Sequence, residues 1–308
     1  MRPTPTVLLQ GIDHMCTLKI QHLLGAHGPP LTGAQQVLQS MTDYRDSIQF
    51  MWDQTVRGLN LGLTGPEIAH FVKLPERFER SYLTRQMYGL FEHHVRQIRN
   101  GLVGWFDGDE STLFALATGD RAARMLKGFG GREKVRSQAQ AAILADDLRW
   151  ALELSSWLVG ADPEPSSDDA AGKVGDRDHR LMADVLRRIA QRSTAQNLRN
   201  WCLTRALELD GKLDLGRFRK HRVRVEEVLA RPPAAYVAAL RVQLVPDRAK
   251  GIEDELAWVF EDGTVSGLRL RGQVAVPTNG ANAKMKMYLS LKVWGQFLAC
   301  FDLPGLAA

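Results

Sequence analysis

The chain has 308 residues, 44% of them hydrophobic and 24% charged. That is globular composition, long enough for about two domains, and it excludes wholesale disorder. Lys and Arg number 40 against 35 Asp and Glu, a net charge of +5, which suits anionic ligands but does not by itself point to nucleic acid. No apolar run approaches the roughly 20 residues of a membrane-spanning helix. The stretch Met1–Gln10 has too short an apolar core for a signal peptide. Cys16, Cys202 and Cys300 are too far apart for a Cys-x-x-Cys metal site, and their odd number argues against a disulfide framework. A reduced, cytoplasmic setting is the expectation.

Taken in chain order, the punctuation by Gly25, Gly28, Pro29, Pro30 and Gly33 predicts a loop after a short apolar strand. Apolar residues Val37, Leu38, Met41, Ile48, Met51, Trp52 and Val56 recur at helical spacing and predict a long helix from Ala34 to Leu61, stopped by Gly62. Thr64, Pro66 and Glu67 are the cap and first turn of a short helix. Further helices are predicted over 87–103, 120–127, 132–144, 147–159, 180–191 and 195–208. Between them, Gly128-Phe-Gly-Gly131 is a helix break, and 161–175 is an exposed Pro/Ser/Asp/Gly-rich loop. Ala139, Ala142, Trp150, Ala151, Leu154 and Trp157 place small and large side chains as paired antiparallel helices require. These pairs look like weak tetratricopeptide-type hairpins, too few for a solenoid. After Asp210-Gly211 the pattern changes. A helix over 233–240 leads to strands at 255–260 and 265–270 joined by the Glu261-Asp-Gly263 turn. Met285, Met287, Leu289 and Leu291 alternate with polar residues and predict one buried face, and a helix over 292–301 ends the chain. The fold class is therefore mainly α, followed by a small α+β domain.

Few residues announce chemistry. His27 projects from a Gly/Pro loop, where an imidazole is either a metal ligand or a loop residue without a role. No His-x-His-x-Asp-His or His-Glu-x-x-His occurs. His93, Arg96 and Asn100 share one helix face and either hold an anionic oxyester or form a polar helix interface. Glu92 and Arg96, four apart, can pair. The run Arg217–Arg224 is the densest basic patch, either a phosphate contact or a solvated face, and no aromatic platform for nucleic acid accompanies it. Trp150, Trp157 and Trp201 sit at positions expected to be core.

Several stretches carry a resemblance. They are Ala26-His-Gly-Pro-Pro-Leu-Thr-Gly33, Asp53-Gln-Thr-Val-Arg57, Gly62-Leu-Thr-Gly-Pro-Glu-Ile-Ala69 and Leu74-Pro75. Tyr88-Gly89, His93, Val95-Arg96 and Gly104-Trp-Phe-Asp-Gly108 follow, then Asp147-Leu-Arg-Trp-Ala151, Ala161-Asp-Pro163 and Leu198-Arg-Asn-Trp201. In this order they resemble the linear alkyl sulfatases, zinc-dependent enzymes with a metallo-β-lactamase domain, a helical dimerisation domain and a sterol-carrier-like domain. The resemblance implies hydrolysis of long-chain primary alkyl sulfates, with two zinc ions holding the nucleophilic water. It places residues 1–33 at the end of the metallo-β-lactamase domain, 34–211 in the helical-hairpin dimerisation domain, and 212–308 in the sterol-carrier-like α+β domain. By the same resemblance His27 is a zinc-ligand position, His93 a histidine reaching the sulfate site, and Tyr88 and Arg96 substrate-binding.

The main metal motif of that family is absent from this sequence, and one imidazole cannot hold two zincs. The expectation is a truncated alkyl-sulfatase-like protein, inactive alone and without zinc of its own, that keeps dimerisation and lipid-binding-type domains. A homodimer burying the 34–61 helix is expected. Two alternatives are a carrier for an alkyl chain or anionic surfactant, on a face made by Trp258, Phe260, Met285, Met287 and Leu289, and the C-terminal half of a split enzyme. In the split enzyme a separate metallo-β-lactamase-type subunit supplies the missing ligands. Neither nucleic acid nor a membrane span is expected, and a periplasmic setting is the alternative to the cytoplasm.

Overall fold

The computed structural model describes residues 5–161, 171–216, 220–221, 224–300 and 303–304. The chain divides into two compact units, Met1–Leu213 and Asp214–Ala308. Most of the 161–175 segment and of the basic run lies outside the described residues.

The first unit is helical. Helix α1 (Thr6–Thr17), which the sequence pattern did not disclose, packs on α2 (Ala34–Asn60). Between them β1 (His22–Leu23) and β2 (Leu31–Thr32) pair antiparallel and close the 24–30 loop. Val37 and Met41 of α2 bury against Leu31, with Leu23 and Tyr82 beside them. Further along, Phe50, Met51 and Leu59 pack on Ile68 of α3 (Gly65–Phe71), on Val72 just after it, and on Phe91 and Val95 of α5 (Phe91–Val103). Thr64 starts α3 with a full capping box. Its hydroxyl accepts from the Glu67 amide, while its own amide donates to the Glu67 carboxylate at 2.7 Å. Short α4 (Glu76–Arg80) and α6 (Glu110–Leu113) flank α5 in the chain.

Helices α7 (Thr118–Gly128), α8 (Arg132–Leu144) and α9 (Leu148–Gly160) surround a core of Val135, Ala139, Leu154, Trp157 and Leu158. Gly130 and Gly131, at φ +90° and +96°, make the break between α7 and α8. Trp150 and Trp157 meet edge to face, and Phe129 packs tilted against both. The pair α10 (Ala171–Arg192) and α11 (Gln196–Leu209) closes through Ala183, Leu186, Ala190, Cys202 and Ala206, small side chains that let the axes approach. Helix α10 begins earlier than the expected residue 180, because its polar, glycine-bearing first turns hide the helical period.

One buried charge ties three helices together. The Asp178 side chain on α10 is 1% exposed and accepts from Arg132 (2.7 Å) and Arg136 (2.8 Å), both on α8. Arg132 also donates to the carbonyls of Leu158 and Ala161, at the end of α9.

The second unit is α+β. Helices α12 (Val225–Leu229), α13 (Pro233–Ala239) and α14 (Leu291–Cys300) accompany a four-stranded sheet. Its order is β6 (Val274–Thr278), β5 (Val265–Arg271), β4 (Asp254–Phe260), β7 (Met285–Leu289), and the short β3 (Lys220–His221) pairs separately with β8 (Leu303–Pro304). β4 runs antiparallel to β5 and parallel to β7. Gly263, at φ +83°, turns the β4–β5 hairpin. Trp258 and Phe260 bury with Trp294, Leu298, Tyr236 and Val237. Of the expected buried face of β7, Leu289 and the following Leu291 pack against this core, while Met285 and Met287 are 64% and 39% exposed at the edge of the sheet.

Replacing Asp178 strands two guanidinium groups away from water. Asp178→Asn should cost the first unit about 3 kcal/mol or more, read from urea unfolding followed by the helical circular dichroism signal. A loss below about 1 kcal/mol would place the pairs among weak surface bridges.

Candidate functional site

The site is built around the 24–30 loop. The loop is closed at its neck by the β1–β2 pair, by the Gly33 amide donating to the Gln21 carbonyl (2.8 Å) and by a His22–Thr32 side-chain contact at 3.1 Å. The Tyr82 hydroxyl donates to the Pro29 carbonyl at 3.0 Å. It also lies where a Cβ on Gly28 would fall, and Gly28 has φ +83°, so glycine is required there on two counts. The His27 ring stacks on Tyr88, centroids 5.6 Å apart and planes 18° from parallel.

Tyr88 is held by backbone. The amides of Gln196 and Asn197, in the first turn of α11, donate to the Met87 and Tyr88 carbonyls at 2.8 and 2.9 Å. The Thr194 hydroxyl donates to the Gln86 carbonyl at 2.9 Å. Residues 87–90 are consequently not the helical turn expected of them. α5 starts at Phe91, whose amide donates to the Gln86 side-chain oxygen at 2.8 Å. Gln86, Thr194 and Asn197 carried no chemical signal in the sequence. Their role is to position others, and only the Leu198–Trp201 motif lay close by.

Beyond that start, His93, Arg96 and Asn100 are all exposed on one face of α5, as their spacing requires. Glu92 does not form a hydrogen bond with Arg96. It accepts from Arg149 on α9 at 2.8 Å and lies 3.8 Å from the His93 ring. Burial opposes its ionisation, but the Arg149 hydrogen bond and the charges of Arg149, Arg96 and His93 outweigh that and hold the carboxyl below its ordinary range. The structure thus joins His27 to Tyr88 and sets His93 beside Glu92, while Arg96 acts on that carboxylate only through its charge.

Trp201, expected in the core, is 77% exposed. It lines an open cleft of about 750 Å³ with His70, Arg149, Leu152, Met182 and Arg205. Burial raises the pKa of the neighbouring Cys202 thiol, which disfavours the thiolate.

Residues 64–212 match the family model for alkyl sulfatase dimerisation. The chain is 32% identical over 297 residues to a linear primary-alkylsulfatase of Pseudomonas sp. (strain ATCC 19151), covering 93% of this chain and 54% of that protein. It is 30% identical to an (R)-specific secondary-alkylsulfatase of Pseudomonas sp., covering 78% of this chain and 34% of that protein. The solved stereoselective inverting sec-alkylsulfatase Pisa1 from Pseudomonas sp. superposes with a TM-score of 0.78 at 27% identity, covering 94% of this chain and 45% of that one. Residues 64–212 thus carry the alkyl sulfatase dimerisation domain, and most of the chain is similar to alkylsulfatases. The chain spans between about a third and about half of the length of these relatives.

Among the described residues no three His, Cys, Asp or Glu side chains converge as a metal centre requires. The His27 imidazole has no convergent further ligands among the described residues, and the donor set there does not fit a zinc site. No helix among the described residues is long and apolar enough to cross a membrane.

The sign of the Glu92 shift gives a pH prediction. A lowered carboxyl pKa contributes stability that is present above the ordinary Glu range and is lost as pH falls through the lowered value. Glu92→Gln should be less stable than the parent at neutral pH, with the gap closing below about pH 4. A gap that stays constant as pH falls would show that Glu92 contributes packing rather than charge.

Proposed function

We propose that this chain is the dimerising, head-group-facing portion of an alkylsulfatase-type hydrolase. In this reading two copies associate through the dimerisation domain. His27, Tyr88, His93 and Arg96 face the anionic ester of an alkyl sulfate, and the zinc ligands come from another polypeptide segment of metallo-β-lactamase type. The observation that carries the reading is the His27–Tyr88 stack, clasped in place by the first turn of α11. An aromatic and imidazole pair with no converging metal donors among the described residues suits orientation of a substrate.

The test is zinc stoichiometry and sulfate release from dodecyl sulfate. The purified chain is expected to hold less than one zinc per protomer and to release no sulfate. Mixing it with a metallo-β-lactamase-type segment should produce turnover, and His93→Ala should then lower that turnover about a hundredfold. Two zincs per chain with unaided hydrolysis would overturn the proposal.

A further inference from the structure

Exposed apolar side chains are common on any protein surface and carry no meaning singly. In the second unit one stretch gathers them together with charge. β7 is an edge strand, and both of its faces reach solvent. Met285 and Met287 are exposed on one face, and Tyr288, 75% exposed, on the other. α14, which follows, adds Val293 and Phe297, about one turn apart, at 51% and 41% exposure. The two elements are joined through the core. Met287 lies in register with Trp258, Trp258 packs on Trp294 with ring centroids 6.0 Å apart, and Phe297 stacks on Trp294 at 5.8 Å.

Charge sets this stretch apart. Lys284, Lys286 and Lys292 are exposed, and no ion pair holds any of them among the described residues. They are three of the chain's 11 lysines, gathered within nine residues. From Gly263 to Cys300 the sequence holds no Asp or Glu. Other strongly exposed apolar residues of the unit, such as Val242, Val245 and Val274, are aliphatic and have neither an aromatic nor a lysine as an immediate neighbour in sequence. A lysine that guards an open strand edge accounts for Lys286. An edge guarded against association would not also leave two methionines and a tyrosine in water. The start of α14 is already satisfied, since the Leu291 amide donates to the Glu261 carboxylate at 3.3 Å and the Val293 amide to the Ser290 hydroxyl at 3.2 Å. The attraction for an anion therefore comes from the lysines.

We infer that this surface of β7 and α14 docks on the face of an anionic lipid bilayer. The inference goes beyond the reading above and does not depend on it. The Met, Val and Phe side chains enter the boundary between head groups and acyl chains, Tyr288 lies at that level by its amphipathic ring, and the lysines meet the lipid phosphates. Lysine suits that layer. Its stem lies along apolar surface, and its ammonium is a compact point charge that needs no fixed geometry. A folded acidic partner would favour the guanidinium fork instead, yet from Lys284 to Cys300 this chain, where Arg far outnumbers Lys, carries only lysine.

The experiment is co-sedimentation of the full chain with phosphatidylcholine vesicles, with and without phosphatidylserine, at low and high salt. The parent is expected to bind the anionic vesicles alone and to be released from them by high salt. Lys284→Gln, Lys286→Gln and Lys292→Gln together should weaken partitioning about a hundredfold, at about fivefold per lysine. Met285→Ser with Tyr288→Ser should weaken it about tenfold, and Val242→Ser should stay within about twofold. All of these side chains are largely solvated, so the fold should survive, which near-ultraviolet circular dichroism checks. Equal binding to neutral and anionic vesicles, indifference to salt, or a lysine variant that binds like the parent overturns the inference. Loss in the lysine variant with full retention in the Met285 and Tyr288 variant marks a general polyanion site and overturns the bilayer assignment. No binding by the parent overturns it too, and altered self-association in the same variants would then give the surface to a second copy. Zinc content and sulfate release are independent of every one of these results.

Discussion

The helical unit depends on a clasp between two segments more than a hundred residues apart in sequence. The first turn of α11 has amides that no helical carbonyl can satisfy, and the turn at 86–88 has carbonyls with no helical partner. Each solves the other's problem through the bonds from Gln196 and Asn197 to Met87 and Tyr88, reinforced by Thr194 on Gln86. The same short segment sets two further features. It aims Tyr88 at His27, and through the Gln86 side chain it decides where α5 begins. The placement of His93 and Arg96 follows from that start.

Charge placement extends the same economy. Asp178 holds α8 to α10, and through Arg132 it reaches the end of α9. Glu92 ties α5 to α9 through Arg149. Helices that share few large apolar side chains at these points are thus fixed by a small number of ion pairs, most of them partly or wholly withdrawn from water, where a lost partner is expensive. The proposed division of labour follows from this build. A frame that keeps the His27 loop, the Tyr88 segment and the α5 face in register can present a head group without coordinating a metal.

Much of the fold was legible because its determinants are local. The Thr64–Glu67 box, the Gly130-Gly131 break, the Asp147 cap and the β4–β5 hairpin each lie within a few residues of the element they define. Misreadings arose where distant partners decide. Periodicity ran a helix through residues 87–90, yet α11 captures the Met87 and Tyr88 carbonyls. Spacing paired Glu92 with Arg96, yet Arg149, on another helix, takes the carboxylate. Trp201 has a core residue's chemistry and a surface position. Of the candidate site, His27 stood out because a glycine- and proline-bounded loop frees an imidazole. Tyr88 was singled out only by the family resemblance, since nothing local to it points toward residue 27.

The most direct measurement of the central claim is the chemical shift of the His27 imidazole protons. An aromatic ring stacked as Tyr88 is should move them upfield of a free histidine. Tyr88→Leu should return them to ordinary values. So should Asn197→Pro, which removes only the amide bound to the Tyr88 carbonyl at a helix position where proline is tolerated. A His27 shift that survives Asn197→Pro unchanged, with α11 still folded, would contradict the account, because the stack would then stand without the clasp.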